Sequence, residues 1–464
     1  MDARSPVITS TTRPLRTELR ALLALAAPLI IQNVANEGMQ FTDTLMAGRL
    51  STTTLAGVAV GGTIWVPVML FAMGLLMALS PTVAHLHGAG NEEAVGAEVR
   101  QCLWLSQAIG WLGFVVLREA GPAFVWLGVA APVVPAAQAY LNGIAWGLPG
   151  ICLFFVLRFT SEGIGHTRPL LYVAFAGLGA NAFMDYALMY GIWGLPALGA
   201  YGCGLATAIV IWLMFAVLLV HVVRARRYRP LAIFSHFEWP RRAPLATLLR
   251  LGFPIGVSLF MEVSLFAAIA LIMGTLGTKI VAAHQIALNF AATMFMVPLG
   301  VSMAITARAG QARGRGDTAS ARRIGLLGIG VCMAFMVLSA LAMALFPTTI
   351  AGWYTDNQQV RDIAVSLLGM AAIFQISDGL QVSAAGALRG YKDTHVPMWM
   401  TVLAYWCIGF PLAWLLGVYW QAGPRAVWGG FIGGLSVAAV LLNLRFWRIS
   451  RGSDRKSGFS QISK

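Results

Sequence analysis

The sequence predicts an all-α polytopic membrane protein: twelve transmembrane helices in two six-helix lobes related by a pseudo-two-fold axis. Three observations predict it. The composition is apolar and divides into twelve runs of membrane-crossing length, Lys and Arg concentrate in alternate connecting segments, and the chain matches itself at an offset of 226 residues.

Of 464 residues, 58% are hydrophobic and 11% charged, with a mean hydropathy of +0.75. Soluble domains carry about 25% charged residues, so the composition demands lipid. The first twenty residues are polar and hold Arg4, Arg13, Arg16 and Arg20 with no small-residue cleavage site, so no cleavable signal peptide is expected. The net charge of +14 raises the question of nucleic acid. The basic residues, however, sit between apolar runs instead of on one soluble domain, which argues for no nucleic acid partner. Cys102, Cys152, Cys203, Cys332 and Cys407 are scattered singly without metal spacing and are expected to be small core residues.

A membrane span needs about 20 largely apolar residues. Such runs lie near 21–47, 54–80, 101–118, 135–157, 170–190, 200–223, 248–275, 280–306, 324–346, 363–386, 397–418 and 427–447. They are too long and continuous for barrel strands, which leaves helices. With the N-terminus placed in the cytoplasm, the inside segments collect 27 Lys and Arg and the outside segments collect 5, namely Arg49, Arg118, Lys279, Arg361 and Arg425. That bias supports twelve spans with both termini cytoplasmic in a bacterial inner (plasma) membrane, the basic charge facing anionic membrane lipids.

The segment 224–247 is Arg-rich, contains Pro230, Pro240 and Pro244, and reads as a cytoplasmic basic linker between a lobe at 19–223 and a lobe at 248–449; residues 1–18 and 450–464 read as polar tails. At the 226-residue offset Pro28 meets Pro254, Gly74 meets Gly300, and Gly88-Ala-Gly90-Asn91 meets Gly314-Arg-Gly316-Asp317. Six is even, so both halves start on the same side. The repeats are then parallel, as in carriers that rock one lobe against the other.

Five carboxylates, Glu37, Asp43, Asp185, Glu262 and Asp378, fall inside apolar runs, and no Lys or Arg is expected at comparable depth. A charge there costs at least about 2.5–3.5 kcal/mol on insertion scales. It must be met by a proton, a metal cation, a cationic cargo or a hydrogen-bonding neighbour. Asn181 and Asp185 are four apart, hence on one helix face. With Asp43 and the Thr207 hydroxyl they form a hard oxygen set suited to Na⁺ or to a proton relay. Glu262 and Asp378, with Gln375 and Gln381 three residues either side of Asp378, form the corresponding set in the second half. Glu37 is six residues from Asp43 and so off its face; it is either a helix-packing hydrogen-bonder or a cavity residue. His284 and Gln285 open the eighth run, as a packed pair or as a substrate contact, and Phe374 stands beside Gln375. His85 and His87 are placed in a loop with no metal role. Some of the 20 Met and 24 Phe must line a cavity, where adaptable surfaces suit varied cations.

The stretches FTDTLMAG (41–48), LGFP (251–254), FMEVSLFA around Glu262, VAAHQIALNF (281–290) and QVSAAGALRGYKDT (381–394) resemble the MATE family of multidrug and toxic compound extrusion transporters, most closely its NorM-like bacterial branch. The resemblance runs from Leu19 to Trp447. It implies a V-shaped carrier that works as a monomer without a cofactor and exports organic cations, dyes and fluoroquinolone-like drugs against Na⁺ or H⁺. It matches Asp43, Glu262 and Asp378 to family carboxylates, and Asn181, Asp185 and Thr207 to a first-lobe cation or proton site. Three positions depart from the branch pattern: Phe374 where a Tyr is expected, Asp185 where relatives have Asn, and the additional acid Glu37. The alternative within the superfamily is a flippase of lipid-linked oligosaccharide, which needs cavity bases to meet pyrophosphate; spans with acids and no bases argue against it. No zinc-protease pair, nucleophile elbow or Walker loop is present, so an enzyme is not expected and ATP cannot drive transport directly. The duplication favours a carrier over a passive channel.

Overall fold

A computed structural model describes residues 14–126, 128–192 and 196–462; the outermost residues of both expected tails lie outside them. Every regular element among the described residues is helical. The spans are α1 (Leu15–Leu50), α2 (Thr52–Gly88), α3 (Glu92–Arg118), α4 (Val134–Ile144 and Gly147–Gly163, bent by 45° between them), α5 (Arg168–Tyr190) and α6 (Gly199–Arg224). The second half follows with α7 (Arg242–Leu276), α8 (Thr278–Gly314), α9 (Thr318–Leu345), α10 (Gln358–Gly390), α11 (His395–Tyr419) and α12 (Pro424–Ile462). Among the described residues ten helices are by themselves long and apolar enough to cross a membrane, and the bent α4 makes an eleventh. The twelfth, α3, has 27 residues but carries Glu92, Glu93, Glu98 and Arg100 in its first turns. Several helices overrun their apolar runs by one to three turns, and this turns out to matter for the site.

The repeat is visible in the packing. At the end of each half's second span the backbone turns through a glycine with positive φ, Gly90 at 76° and Gly316 at 78°. The next residue then caps the following helix: Asn91 Oδ1 accepts from the Ala94 N–H at 3.2 Å, and Asp317 Oδ1 from the Ser320 N–H at 2.9 Å. A left-handed turn needs glycine and an N-cap needs a short side-chain acceptor, which explains the Gly-x-Gly-(Asn/Asp) pattern. These turns open directly into the next helix and not into a loop. His85 and His87, expected in a loop, lie on the last turn of α2, where His85 Nε2 is 2.8 Å from the Gly390 carbonyl oxygen.

The same symmetry joins the lobes. Gly74 of α2 packs on Gly256 of α7, and Gly300 of α8 packs on Ile30 of α1; these residues are paired by the 226-residue offset. Gly88 lies against Gln311, and Gly314 against His85, paired in the same way. A pseudo-two-fold axis carries each contact into its partner. Further links sit at the same end: a Glu18–Arg308 ion pair, and Gln311 Nε2 donating to the Gly163 carbonyl at 2.8 Å. The lobes are therefore closed at the face where α1 begins and the Arg-rich segments gather. Two cavities lie beside these contacts, each lined mainly by one lobe with a few residues of the other.

The connection from α6 to α7 is strapped to α3. After a short 3₁₀ helix (Arg226–Leu231), Arg100 donates to the Ala232 carbonyl at 2.7 Å and to Glu238 at 3.0 Å. Gln101 Nε2 donates to the Trp239 carbonyl at 3.0 Å, and Trp104 Nε1 to the Glu238 carbonyl at 2.9 Å. Hydrogen bonds from Arg100, then His236, hold the Glu238 carboxyl down to about 2. A carboxyl lowered in the folded state stabilises above its unfolded range and loses that contribution only as pH falls through about 2. At about pH 8, well above the free carboxyl range, tryptic cleavage at Arg226, Arg227 and Arg229 is expected to be slow. Glu238→Gln, which leaves Arg100 short of its partner, is expected to speed it several-fold.

Candidate functional site

In the first lobe α1, α5 and α6 bring together the residues that helical spacing pairs. Asp43 is buried, with Oδ1 accepting from Asn181 Nδ2 at 3.0 Å and Oδ2 from Thr207 Oγ1 at 3.2 Å. Asp185, one turn beyond Asn181 on α5, is fully buried, and neither of its carboxylate oxygens has a hydrogen-bond donor. Oxygens of Asp43 and Asp185 and the sulfur of Cys203 all lie within 4.8 Å of one another. Two carboxylates this close cannot both stay bare in a low-dielectric interior. A shared proton or a small cation resolves the repulsion and occupies the unused Asp185 lone pairs. Cys203 belongs to this cluster, although its lone position in an apolar run gave no sign of it.

Asp43 sits on the wall of a cavity of about 410 Å³. Glu37, Asn33, Asn36 and Tyr140 share the wall, and Met39, Met69, Met73, Met214 and Met296 give it a deformable apolar lining. Glu37 thus faces the cavity and not a helix contact. The floor holds Arg158, which revises the expectation that the spans contain no bases. Residue 158 follows the apolar run 135–157, but α4 continues to Gly163, so the side chain is buried. Its Nε donates to Glu162 at 2.8 Å and its Nη2 to Asn33 at 3.3 Å. The i,i+4 spacing of Arg158 and Glu162 was the available signal.

In the second lobe Glu262 of α7 and Asp378 of α10 line a cavity of about 370 Å³ with Phe266, Phe295, Phe374 and Gln381. Gln381 faces Glu262, while Asp378 Oδ1 is buried without a hydrogen-bond donor. Phe374 stacks into an aromatic wall, 6.0 Å from Phe266 and 5.1 Å from Phe431 between ring centres. Arg389, a second base unforeseen at this depth, also lines the cavity. It lies eleven residues after Asp378, three helical turns along the same face.

Three cavity candidates lie elsewhere. His284 is buried behind the wall, its Nδ1 accepting from Trp428 Nε1 at 3.2 Å. Gln375 is also buried and donates to the Ala291 carbonyl at 3.2 Å. Gln285 is exposed and absent from both cavity walls. On α8 the second wall is built by Leu288, Ala292, Phe295, Leu299 and Met303, a stripe that starts one turn after His284. The ring contact with Trp428 of α12, 5.6 Å between centres, holds His284 behind the wall.

The MatE family model matches this chain twice, over residues 28–187 and 254–415, with starts 226 residues apart. The chain belongs to the MatE family. The match falls once on each lobe, as the packing symmetry requires. Among curated proteins it is 43% identical to the multidrug resistance protein PmpM of Pseudomonas aeruginosa over 94% of this chain and 93% of that one. It is 42% identical to a probable multidrug resistance protein NorM of Xanthomonas axonopodis pv. citri, covering 95% and 96%. The multidrug resistance protein NorM of Aliivibrio fischeri is 39% identical, covering 94% and 96%. Among solved structures, the eukaryotic MATE transporter AtDTX14 superposes with a TM-score of 0.85 at 18% identity, covering 95% and 99%. A MOP superfamily transporter from Pyrococcus furiosus, described as having a binding pocket of reverse polarity, superposes at 0.86 with 20% identity, covering 96% and 100%. These structural likenesses establish the twelve-helix MATE fold. The protein is a multi-pass membrane transporter of the bacterial NorM-like kind.

Proposed function

We propose that this transporter is a secondary multidrug exporter, moving cationic drugs and toxic organic compounds out of the cell in exchange for Na⁺ or H⁺. The observation that carries the reading is the Asp43–Asp185 pair: two buried carboxylates within 4.8 Å, one without any donor. Such a pair takes up a proton or a small cation whenever cargo is absent. The relatives named multidrug resistance proteins support the cargo class.

The basic closed face is cytoplasmic by the positive-inside bias, so the cavities here open outward. In this state external Na⁺ or H⁺ binds the acids of either lobe and lowers the attraction for a bound cation, which leaves. The lobes, 19–223 and 248–449, then rock about their shared contacts, the coupling ion leaves to the cytoplasm, and the bare acids attract new cargo. Exchange requires that ion and cargo bind with mutual disfavour. The working unit is the monomer in the inner membrane, with lipids around it and no nucleic acid partner.

The test is efflux of ethidium from proteoliposomes under separately imposed Na⁺ and pH gradients. Acceleration by at least one gradient is expected, and Asp378→Asn with Glu262→Gln is expected to slow it. Equal rates with and without both gradients would refute the reading, and a wild-type rate in the double variant would confine the coupling to the Asp43–Asp185 pair.

A further inference from the structure

The second cavity holds an unusual balance of charge. Its wall carries three acids and one base: Glu262, Asp378, Asp393 and Arg389. Asp393 is already matched, because Arg445 Nε donates to it at 2.9 Å. Arg389 reaches into the same space; its Nη2 donates to Ser302 Oγ at 2.8 Å, while its Nε has no acceptor. No acid forms an ion pair with it at contact distance among the described residues, so its charge acts on the site as a field. The guanidinium charge acts first on Glu262 of this wall and second on Glu162, which is itself paired with Arg158. The floor of the first cavity is different, since Arg158 is consumed by Glu162 at 2.8 Å. Glu37 and Asp43 there face no comparable free base on the wall.

We infer that Arg389 is a charge-setting residue that leaves the empty second cavity with one net negative charge and so selects organic monocations over dications. With Glu262 and Asp378 ionised, two carboxylates and one tethered guanidinium leave room for a single positive charge. A monovalent cargo, one Na⁺ or one proton neutralises the site, whereas a dication meets residual repulsion from Arg389. The guanidinium cannot be displaced into water, because Ser302 and the packed end of α10 hold it in the cavity wall. The inference rests on the export reading and adds to it the charge of the cargo.

Ethidium and propidium share one ring system and carry one and two positive charges. Their binding to the purified full-length protein, measured by fluorescence, reads the inference directly. Wild type is expected to bind ethidium more tightly. At an effective dielectric constant near 20, one charge about 10 Å away changes affinity roughly tenfold per unit of ligand charge. Arg389→Gln is therefore expected to move the preference toward propidium by about tenfold, and Arg389→Lys to leave it within about twofold of wild type. Arg389→Gln combined with Asp378→Asn restores the net charge and is expected to restore the wild-type ratio, which loss of packing would not do. If Arg389→Gln does not purify, Ser302→Ala, which frees the guanidinium toward Glu262, is expected to weaken both dyes, propidium more; no change overturns the inference. Binding of both dyes with an unchanged ratio in Arg389→Gln overturns the inference alone. Failure of wild type to bind either dye overturns the export reading and this inference with it.

Discussion

Asp43→Asn is expected to reduce extrusion to the level of cells lacking the transporter while leaving the protein folded. The substitution is nearly isosteric. The new amide oxygen can still accept from Asn181 Nδ2, and Thr207 Oγ1 can reverse its role to accept from the new NH₂ group. What disappears is the charge, and with it the capacity to exchange a proton or Na⁺ for cargo. Removing a buried charge also removes its desolvation cost, on the order of 2.5–3.5 kcal/mol on insertion scales, so Tm should be equal to or above wild type. Asp185→Asn is expected to give the same loss, because its two oxygens have no donor among the described residues and only a proton or cation satisfies them. Dye accumulation in expressing cells, read beside thermal unfolding of the purified protein, separates loss of function from loss of fold. Extrusion by Asp43→Asn at the wild-type rate would remove the first-lobe pair from the mechanism.

Gly74→Val and Gly300→Val are expected to fail in a different way, by preventing closure of the basic face. A Cβ at position 74 would lie 2.4 Å from the Gly256 Cα, and at position 300 it would lie 2.8 Å from the Ile30 backbone nitrogen. Backbone on both sides cannot yield as a side-chain tip can, so the lobes must separate there. Extrusion is expected to fall by at least about tenfold, comparable to the loss from misplacing catalytic geometry by an ångström. A cysteine introduced at Met77, buried beside the lobe contact, should gain reactivity toward a membrane-impermeant thiol reagent from the basic face. Gly330→Val is the control: nothing lies within 4 Å of a Cβ there, so only the helix-propensity cost applies. Wild-type extrusion in both variants would mean that these contacts are not the closing surface.

Much of the candidate site was legible because depth in a membrane is written along the chain. The apolar runs place a residue at a height in the bilayer, and Asp43, Asp185, Glu262 and Asp378 stand at heights where a carboxylate demands a partner. Helical period then places Asn181 with Asp185. The same period misled at Arg158 and Arg389. Each follows the end of an apolar run, where hydropathy reads a connecting segment, yet α4 continues to Gly163 and α10 to Gly390, and both guanidiniums are held by contacts from other helices. Arg158 touches Met303 and Arg389 touches Ser302, consecutive residues of α8 approached from opposite lobes. The premise that no base lies near the cavities, used against a flippase, does not hold. The relatives carry the case for drug export in its place.

By itself the sequence determined the membrane, the number of crossings, the duplication and the heights of the acids, because each depends on local hydropathy or on spacing along one helix. Tertiary structure decided which side of each helix faces a cavity and which bases come inside. It turned His284 under Trp428, brought Cys203 beside the Asp43–Asp185 pair and set Arg389 into the second cavity. Helix rotation and the overrun of helix ends are fixed by packing between spans that are distant in sequence, and hydropathy along the chain carries no record of that angle.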